Sequence, residues 1–177
     1  MKYFKLFEEY LLLESENEAV VYHGGPEKLT NDNVKGVIFT TTDKEGALWY
    51  VDRASDEEGG WLMTMKVKLK NPLTITCKED FLEKWAPLLK DANIKYEYKD
   101  LDGSWSFDCD EITDNGGYDT TNLLDLIYIK AFIEAAKKHK YDGIRTWDVL
   151  ENGEIEVFIP FYKESITVLK SEKIKTH

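Results

Sequence analysis

Two carboxylates that are two positions apart, Glu154 and Glu156, are the first residues of this sequence that could do chemistry together. They lie in the stretch YDGIRTWDVLENGEIEVFIPF, residues 141–161, where two strand-forming runs flank Asn152-Gly153. That dipeptide favours a two-residue hairpin turn, because both central residues of the turn need positive φ. The turn predicts that Glu151 faces Glu154, Val149 faces Glu156 and Trp147 faces Phe158.

Strand alternation places both carboxylates of this predicted hairpin on one face, beside aromatic side chains, while Ile155, Val157 and Ile159 point to the other face. Two interpretations are open. The face is either solvated surface charge, as in many half-buried antiparallel strands, or a functional pair of carboxylates.

A histidine some 130 residues earlier favours the functional interpretation. The strand-forming run Ala19 to Tyr22 stops at His23-Gly24-Gly25-Pro26. Glycine lets a ligand approach the backbone closely, and proline ends a strand. A histidine at a strand end is by itself also typical of a surface or capping residue, so its meaning depends on the rest of the chain.

The composition predicts one globular domain without a nucleic-acid partner. The chain has 177 residues, of which 42% are hydrophobic and 13% aromatic, enough to form a single core. The net charge of −11 opposes broad binding to a phosphate backbone, although it is compatible with a small anionic ligand in a local pocket. Cys77 and Cys109 are far apart and outside any CxxC pattern, so we expect neither a metal site nor a disulfide scaffold, and a reducing cytoplasm fits.

The N-terminal residues 1–18 read as an amphipathic segment separate from the domain of residues 19–177. No apolar run reaches the ~20 residues needed to cross a bilayer, and no secretory signal is evident. The segment MKYFKLFEEYLLLE resembles the N-terminal targeting segments of internal head proteins in T-even-like bacteriophages, and Leu12-Leu13-Glu14 would fit the apolar-x-Glu pattern that their prohead protease cleaves.

The remaining elements follow from periodicity and from turn residues. Asp43 is a good N-cap for one predicted helix, Pro87 should kink or break another, and the acidic residues 78–118 contain an insertion. In order we expect a strand Val37–Thr42, a helix Lys44–Ala54, a strand Trp61–Ile75, a helix Lys78–Asn93, a long loop Tyr96–Tyr118, a helix Thr121–His139 and a strand Ile166–Leu169 before a frayed tail.

The order of these motifs resembles the ADP-ribosyltransferase superfamily, in particular small phage and polyvalent-protein members allied to the His-Tyr-Glu branch. The motifs are YHGG, FTTT, ALWYV, NPL, YDGI and EIEVFIP, and they span roughly residues 19 to 170. The resemblance implies an α+β fold, with two packed and mainly antiparallel sheets around an NAD cleft and with flanking helices.

The resemblance also implies a role for each matched residue in binding NAD, the substrate that supplies ADP-ribose. His23 would bond the ribose hydroxyls of the adenosine half, and the Gly24 backbone would bond the nicotinamide amide. Tyr50, with Trp49 as the alternative, would stack on the nicotinamide ring. Thr40 and Thr41 would support the site.

Two positions, Glu154 and Glu156, are candidates for the catalytic glutamate. The polymerase-like pattern selects Glu154 and the arginine-specific toxin pattern selects Glu156, and both registers fit Pro160. His23 favours Glu154, because the toxin branch begins with an arginine. The two carboxylates can also share the work, one stabilising the cation and the other handling the acceptor. The sequence departs from the family in its Thr-Thr-Thr motif and in residues 78–118.

The function implied is NAD-dependent mono-ADP-ribosyl transfer by a cytoplasmic phage factor that modifies a host protein. An inactive domain of the same fold that binds a partner, and an NAD glycohydrolase, are the alternatives. Acceptor identity lies beyond the sequence, since acceptor loops vary most.

Overall fold

The fold is that of a computed structural model, which describes residues 17–54, 59–75, 78–101, 104–109, 123–150 and 153–175. These residues form two compact units. The first comprises the chain before Leu73 together with the chain from Asp142 onward, and the second is Leu73–Tyr141. The second unit contains the described part of the predicted insertion. Residues 1–16 of the predicted N-terminal segment 1–18 lie outside the described residues.

The predicted α+β class is confirmed. Seven strands form one sheet: β1 (Glu18–Gly25), β2 (Thr40–Thr41), β3 (Gly60–Lys68), β4 (Pro72–Thr74), β7 (Gly143–Leu150), β8 (Gly153–Pro160) and β9 (Ile166–Ile174). Their order in the sheet is β4-β7-β8-β2-β1-β3-β9, and the pairs β1/β2, β1/β3, β2/β8, β3/β9 and β7/β8 are antiparallel. A two-stranded ribbon of the second unit has β5 (Tyr96–Leu101) and β6 (Ser104–Cys109), where we expected a loop.

The prediction of two packed sheets is wrong, because β2 joins the strands into one sheet. Thr41 pairs with Tyr22 of β1 on one side and with Val157 of β8 on the other. The predicted strand Val37–Thr42 is shortened to two residues, since Val37 has a positive φ of 64° and its N–H donates to the carbonyl of Pro160 at 2.7 Å. A β-branched residue at positive φ cannot continue a strand.

One face of the sheet carries helix α1 (Lys44–Ala54), whose bounds are those predicted. The Asp43 carboxylate accepts from the N–H groups of Glu45 and Gly46, which confirms the predicted cap. Gly24 lies under this helix, where a Cβ would come within 2.0 Å of the Ala47 carbonyl oxygen. Glycine is therefore required for β1 and α1 to pack. The apolar residues of this contact are Ala47, Val51 and Leu62, with Tyr22, Leu48 and Ile174 beside them.

The opposite face carries the larger apolar core of the first unit. It is built from alternate residues of the central strands and is covered by the chain between β1 and β2, including Leu29, Val34 and Ile38. The buried members are Val21, Val34, Met63, Met65, Val67, Leu69, Phe158 and Ile166.

The β7/β8 hairpin is confirmed, but its register differs from the prediction by two residues. Leu150 pairs with Gly153 and Trp147 pairs with Glu156, so the connection is residues 151–152 and not Asn152-Gly153. The open end of the hairpin fixes this register. The Asp142 carboxylate accepts from the N–H groups of Lys70 and Asn71, and the Asp142 carbonyl accepts from the Phe161 N–H. These long-range bonds outweigh the local preference of the Asn-Gly turn.

Strand β9 extends to Ile174, so the prediction of a frayed tail after Leu169 is wrong for this part. Residues 170–174 pair with Gly60–Thr64 of β3. On its other edge, the Asn31 side chain accepts from the Val168 N–H at 2.7 Å and donates to the Val168 carbonyl at 3.2 Å. The amide thereby imitates a neighbouring strand and protects the edge at this point.

In the second unit, the predicted helix Lys78–Asn93 does not break at Pro87. Its middle widens to a π-helical turn, in which the Ala86 N–H donates to the Phe81 carbonyl, and this turn absorbs the proline that follows. The predicted helix Thr121–His139 is divided at Ile129, which has extended dihedrals. The helical segments are α2 (Lys78–Asp80), the π turn Phe81–Trp85, α3 (Ala86–Asp91), the 3-10 turn Leu123–Tyr128 and α4 (Lys130–Lys138).

Replacement of Gly24 by alanine tests the close packing of β1 against α1. The new Cβ would meet backbone atoms of Ala47 and Val51, so we expect Gly24→Ala to lower the free energy of unfolding by about 1–3 kcal/mol. Urea denaturation measures the change. Gly25→Ala is the matched control, since its Cβ would meet only the movable His23 ring, at 3.2 Å. Equal losses in the two variants would contradict this account.

Candidate functional site

The candidate site begins where the sheet opens between β1 and β2. These strands are paired at a single position, Tyr22 with Thr41. Before Thr40 the chain follows β8, as the bond from Val37 to Pro160 shows, whereas β1 continues beside β3 through Gly24 and Gly25. We call this opening, between residues 23–25 and residues 36–39, the sheet split.

His23 spans the sheet split. Its Nδ1–H donates to the Phe39 carbonyl at 2.8 Å, which leaves Nε2 as an acceptor when the ring is neutral. Burial lowers the pKa of His23 below its ordinary value, and the bond to Phe39 only partly opposes this shift. His23 is therefore a neutral side chain at neutral pH, suited to accepting a hydrogen bond from a hydroxyl group.

His23 and Glu156 lie on the same face of the sheet. Tyr22 pairs with Thr41, so the next residues, His23 and Thr40, share the other face. Thr40 pairs with Phe158, and Glu156 follows Phe158 at the two-residue strand period. Two strand spacings and one two-residue step separate the Cα atoms of His23 and Glu156 by about 12 Å. The same reasoning puts Glu154 at about 16 Å from His23, and the side chain of Glu154 lies outside the described residues. Glu156 is thus the nearer of the two predicted carboxylates.

Thr40 and Thr41 support the split from inside the protein. The Thr40 hydroxyl donates to the Phe158 carbonyl at 2.6 Å, and Thr41 Oγ1 accepts from the Asp43 N–H at 3.0 Å. Both side chains are buried, so they hold β2 against β8 and fix the start of α1. Their part in the site is to maintain its framework.

Tyr50 lies in an aromatic cluster next to the split. Its ring centroid is 5.5 Å from that of Phe39, whose carbonyl binds His23, and 5.1 Å from that of Trp49. Trp49 is 43% exposed, and the Arg53 guanidinium lies 4.2 Å from its ring centroid. Phe39 therefore connects the two predicted ligand-binding side chains, His23 through its backbone and Tyr50 through its ring.

An arginine that the sequence analysis did not single out holds Glu156. Arg145 Nε donates to Glu156 Oε1 at 2.7 Å, and one terminal nitrogen donates to Asn17 Oδ1 at 3.2 Å. The guanidinium also lies 5.6 Å from the centroid of the Phe158 ring. In the observed register Arg145 is a diagonal neighbour of Glu156 on one face of the hairpin. The register predicted from the Asn-Gly turn places Arg145 two residues further from Glu156, so it does not predict this contact.

Two further observations concern metal binding and membrane spans among the described residues. Among them, no group of His, Cys, Asp and Glu is arranged to hold a metal ion. None of the helices that the structure describes is long and apolar enough to cross a membrane.

Comparisons with known proteins do not assign a family. No family model matches the sequence, and no curated protein matches it. Among solved structures, the chain is similar to the crystal structure of an anti-CRISPR protein, with a TM-score of 0.41 and 19% identity, over 89% of this chain and 96% of that chain. A likeness of this strength decides neither the fold nor the function of the present chain.

Acid should destabilise the protein through His23. A histidine whose pKa is lowered by folding stabilises the native state above its ordinary pKa of 6.5, and this stability is lost as the pH falls and the unfolded chain takes up the proton. We expect the melting temperature to fall between pH 7.5 and pH 5.5, by less in His23→Asn, whose amide keeps a donor for Phe39. Thermal denaturation of both proteins across this range is the measurement, and an identical pH dependence would contradict the assignment.

Proposed function

We propose that the protein is an NAD-dependent mono-ADP-ribosyltransferase. The observation that carries the proposal is the placement of neutral His23 and the Glu156 carboxyl group on one face of the sheet. Regular strand spacing puts their Cα atoms about 12 Å apart. That separation suits a dinucleotide. We take the span of a dinucleotide site as ~15 Å, the length of four to five extended residues. NAD is the substrate class that the sequence motifs imply, and the geometry is compatible with it.

The reaction breaks the bond between nicotinamide and ribose, and positive charge develops on the ribose as the nicotinamide leaves. His23 Nε2 would accept from a ribose hydroxyl, the Gly24 backbone would bond the nicotinamide amide, and Tyr50 would stack on the nicotinamide ring. Glu156 would place negative charge near the developing cation. Thr40 and Thr41 keep the two sides of the split in register.

The two carboxylates divide the work in this proposal. Glu156 is nearer to His23 and stabilises the cation, while Glu154, one step closer to the hairpin connection, orients or deprotonates the acceptor. We propose a host protein as the acceptor and the cytoplasm as the compartment, in a cell infected by a phage that encodes the chain. The net charge of −11 disfavours nucleic acid as the acceptor.

A second candidate is a domain of the same kind that binds a nucleotide or a protein without turnover. The observation that favours it is the ion pair between Arg145 and Glu156, since the guanidinium compensates the charge that catalysis needs. An NAD glycohydrolase, with water as the acceptor, is the third candidate. The three are distinguished by NAD binding, NAD cleavage and transfer of label.

NAD should raise the melting temperature of the protein. A ligand that binds only the native state at 100 times its dissociation constant stabilises it by about 2.7 kcal/mol, which corresponds to roughly 5–11 °C for a chain of this size. Differential scanning fluorimetry with millimolar NAD measures the shift, and Tyr50→Ala should reduce it. The absence of a shift would contradict NAD as the ligand, and a shift without turnover would select the second candidate.

Replacing the glutamates should separate their roles. Glu156→Gln keeps the shape of the side chain but removes its charge, so NAD cleavage should slow by about 10²–10³, or 2.7–4 kcal/mol, with NAD binding retained. Glu154→Gln should abolish transfer to protein and spare NAD hydrolysis. Labelled NAD with host lysate, nicotinamide release and mass spectrometry of the product give these readouts.

Glu18→Gln is the matched control, since Glu18 is a surface residue of β1 that pairs with Lys66 and Lys68. It should keep the wild-type rates of cleavage and transfer. If Glu154→Gln stops cleavage and Glu156→Gln does not, the cation is stabilised by Glu154 and the two roles are exchanged. Full activity in both folded single variants and in the double variant would exclude the hairpin as the catalytic element.

A further inference from the structure

We infer that Arg145 is a positioning residue that fixes the Glu156 carboxylate, an inference that rests on the proposed function. Three contacts determine where the guanidinium lies. They are the Glu156 carboxylate at 2.7 Å, the Asn17 amide oxygen at 3.2 Å and the ring of Phe158 at 5.6 Å from its centroid. A cation restrained on three sides holds its carboxylate partner in one orientation.

The exposure of the pair favours a defined geometry over a mobile surface contact. The side chains of Arg145 and Glu156 are 29% and 19% exposed, less than those of Lys170 and Glu172 at 63% and 38%. A mobile surface pair contributes little, because solvent and side-chain entropy oppose it. Partial burial and a planar guanidinium reduce both costs, so the pair is suited to orient a carboxylate.

The order of the strands places the backbone of Arg145 further from the sheet split than that of Glu156. Glu156 is on β8, which adjoins β2 at the split, whereas Arg145 is on β7, one strand further away. The arginine thus reaches Glu156 from the neighbouring strand that is farther from the split.

Asn17 extends the restraint to a third strand. Its carbonyl oxygen accepts from the Leu69 N–H at 2.8 Å, which fixes the residue just before β1 against the end of β3. Its side chain then reaches Arg145. The orientation of Glu156 consequently depends on the packing of the first unit as a whole, and not on the β7/β8 hairpin alone.

The test is a double-mutant cycle on the full chain, with NAD cleavage as the readout. Arg145→Gln and Arg145→Lys should lower kcat by roughly 10- to 100-fold, the scale of a misplaced catalytic group, with the KM for NAD unchanged. In the Glu156→Gln background, Arg145→Gln should have no further effect on kcat, because a positioning residue acts only through the group that it positions. Lys66→Gln, which removes a cation from a surface pair on the opposite face, should leave kcat unchanged.

Each other outcome is decisive. Suppose that the wild-type protein cleaves NAD. If Arg145→Gln then keeps the wild-type kcat, or lowers kcat equally in the wild-type and Glu156→Gln backgrounds, the positioning role is wrong and the proposed function stands. If folded wild-type protein does not cleave NAD, the proposed function fails and this inference fails with it. Arg145→Lys keeps the charge, and its kcat decides the question if Arg145→Gln does not fold.

Discussion

The junction at β2 is the constraint on which the first unit depends. Two residues, Thr40 and Thr41, connect the β1 half of the sheet to the β8 half, and the buried hydroxyl of Thr40 bonds the Phe158 carbonyl. A buried donor that loses its partner costs about 1–3 kcal/mol. The short junction thus keeps the halves in register, and its shortness lets the sheet open beside His23. A longer β2 would close the split with ladder hydrogen bonds.

Local signals in the sequence predicted the elements whose ends are set locally. The helix Lys44–Ala54 was predicted to the residue, because Asp43 supplies both the cap and the boundary. Where distant contacts decide, the prediction failed. Val37 is held at positive φ by a bond to Pro160, the hairpin register is fixed by Asp142, and residues 170–174 become a strand by pairing with β3. None of these partners can be identified from neighbouring residues.

The candidate site shows the same division. Motifs and alternation select His23 and the two glutamates, and the parity of the strand places Glu156 on the face predicted for it, beside Phe158, even though the register is shifted by two. Parity survives a two-residue shift, because the side-chain period of a strand is two. Arg145 was missed because its contact with Glu156 is diagonal, and a diagonal neighbour depends on the register itself.

A carboxylate paired with an arginine can still stabilise a cation, provided the arginine lies on the far side. At an effective dielectric constant of about 20, a cation at ~4 Å from the carboxylate gains about 4 kcal/mol. The guanidinium opposes this gain less, the farther it lies from the cation. The backbone of Arg145 is on β7, one strand further from the split than Glu156 on β8. The proposed catalysis therefore requires that the bound cation lie closer to the carboxylate than to the guanidinium.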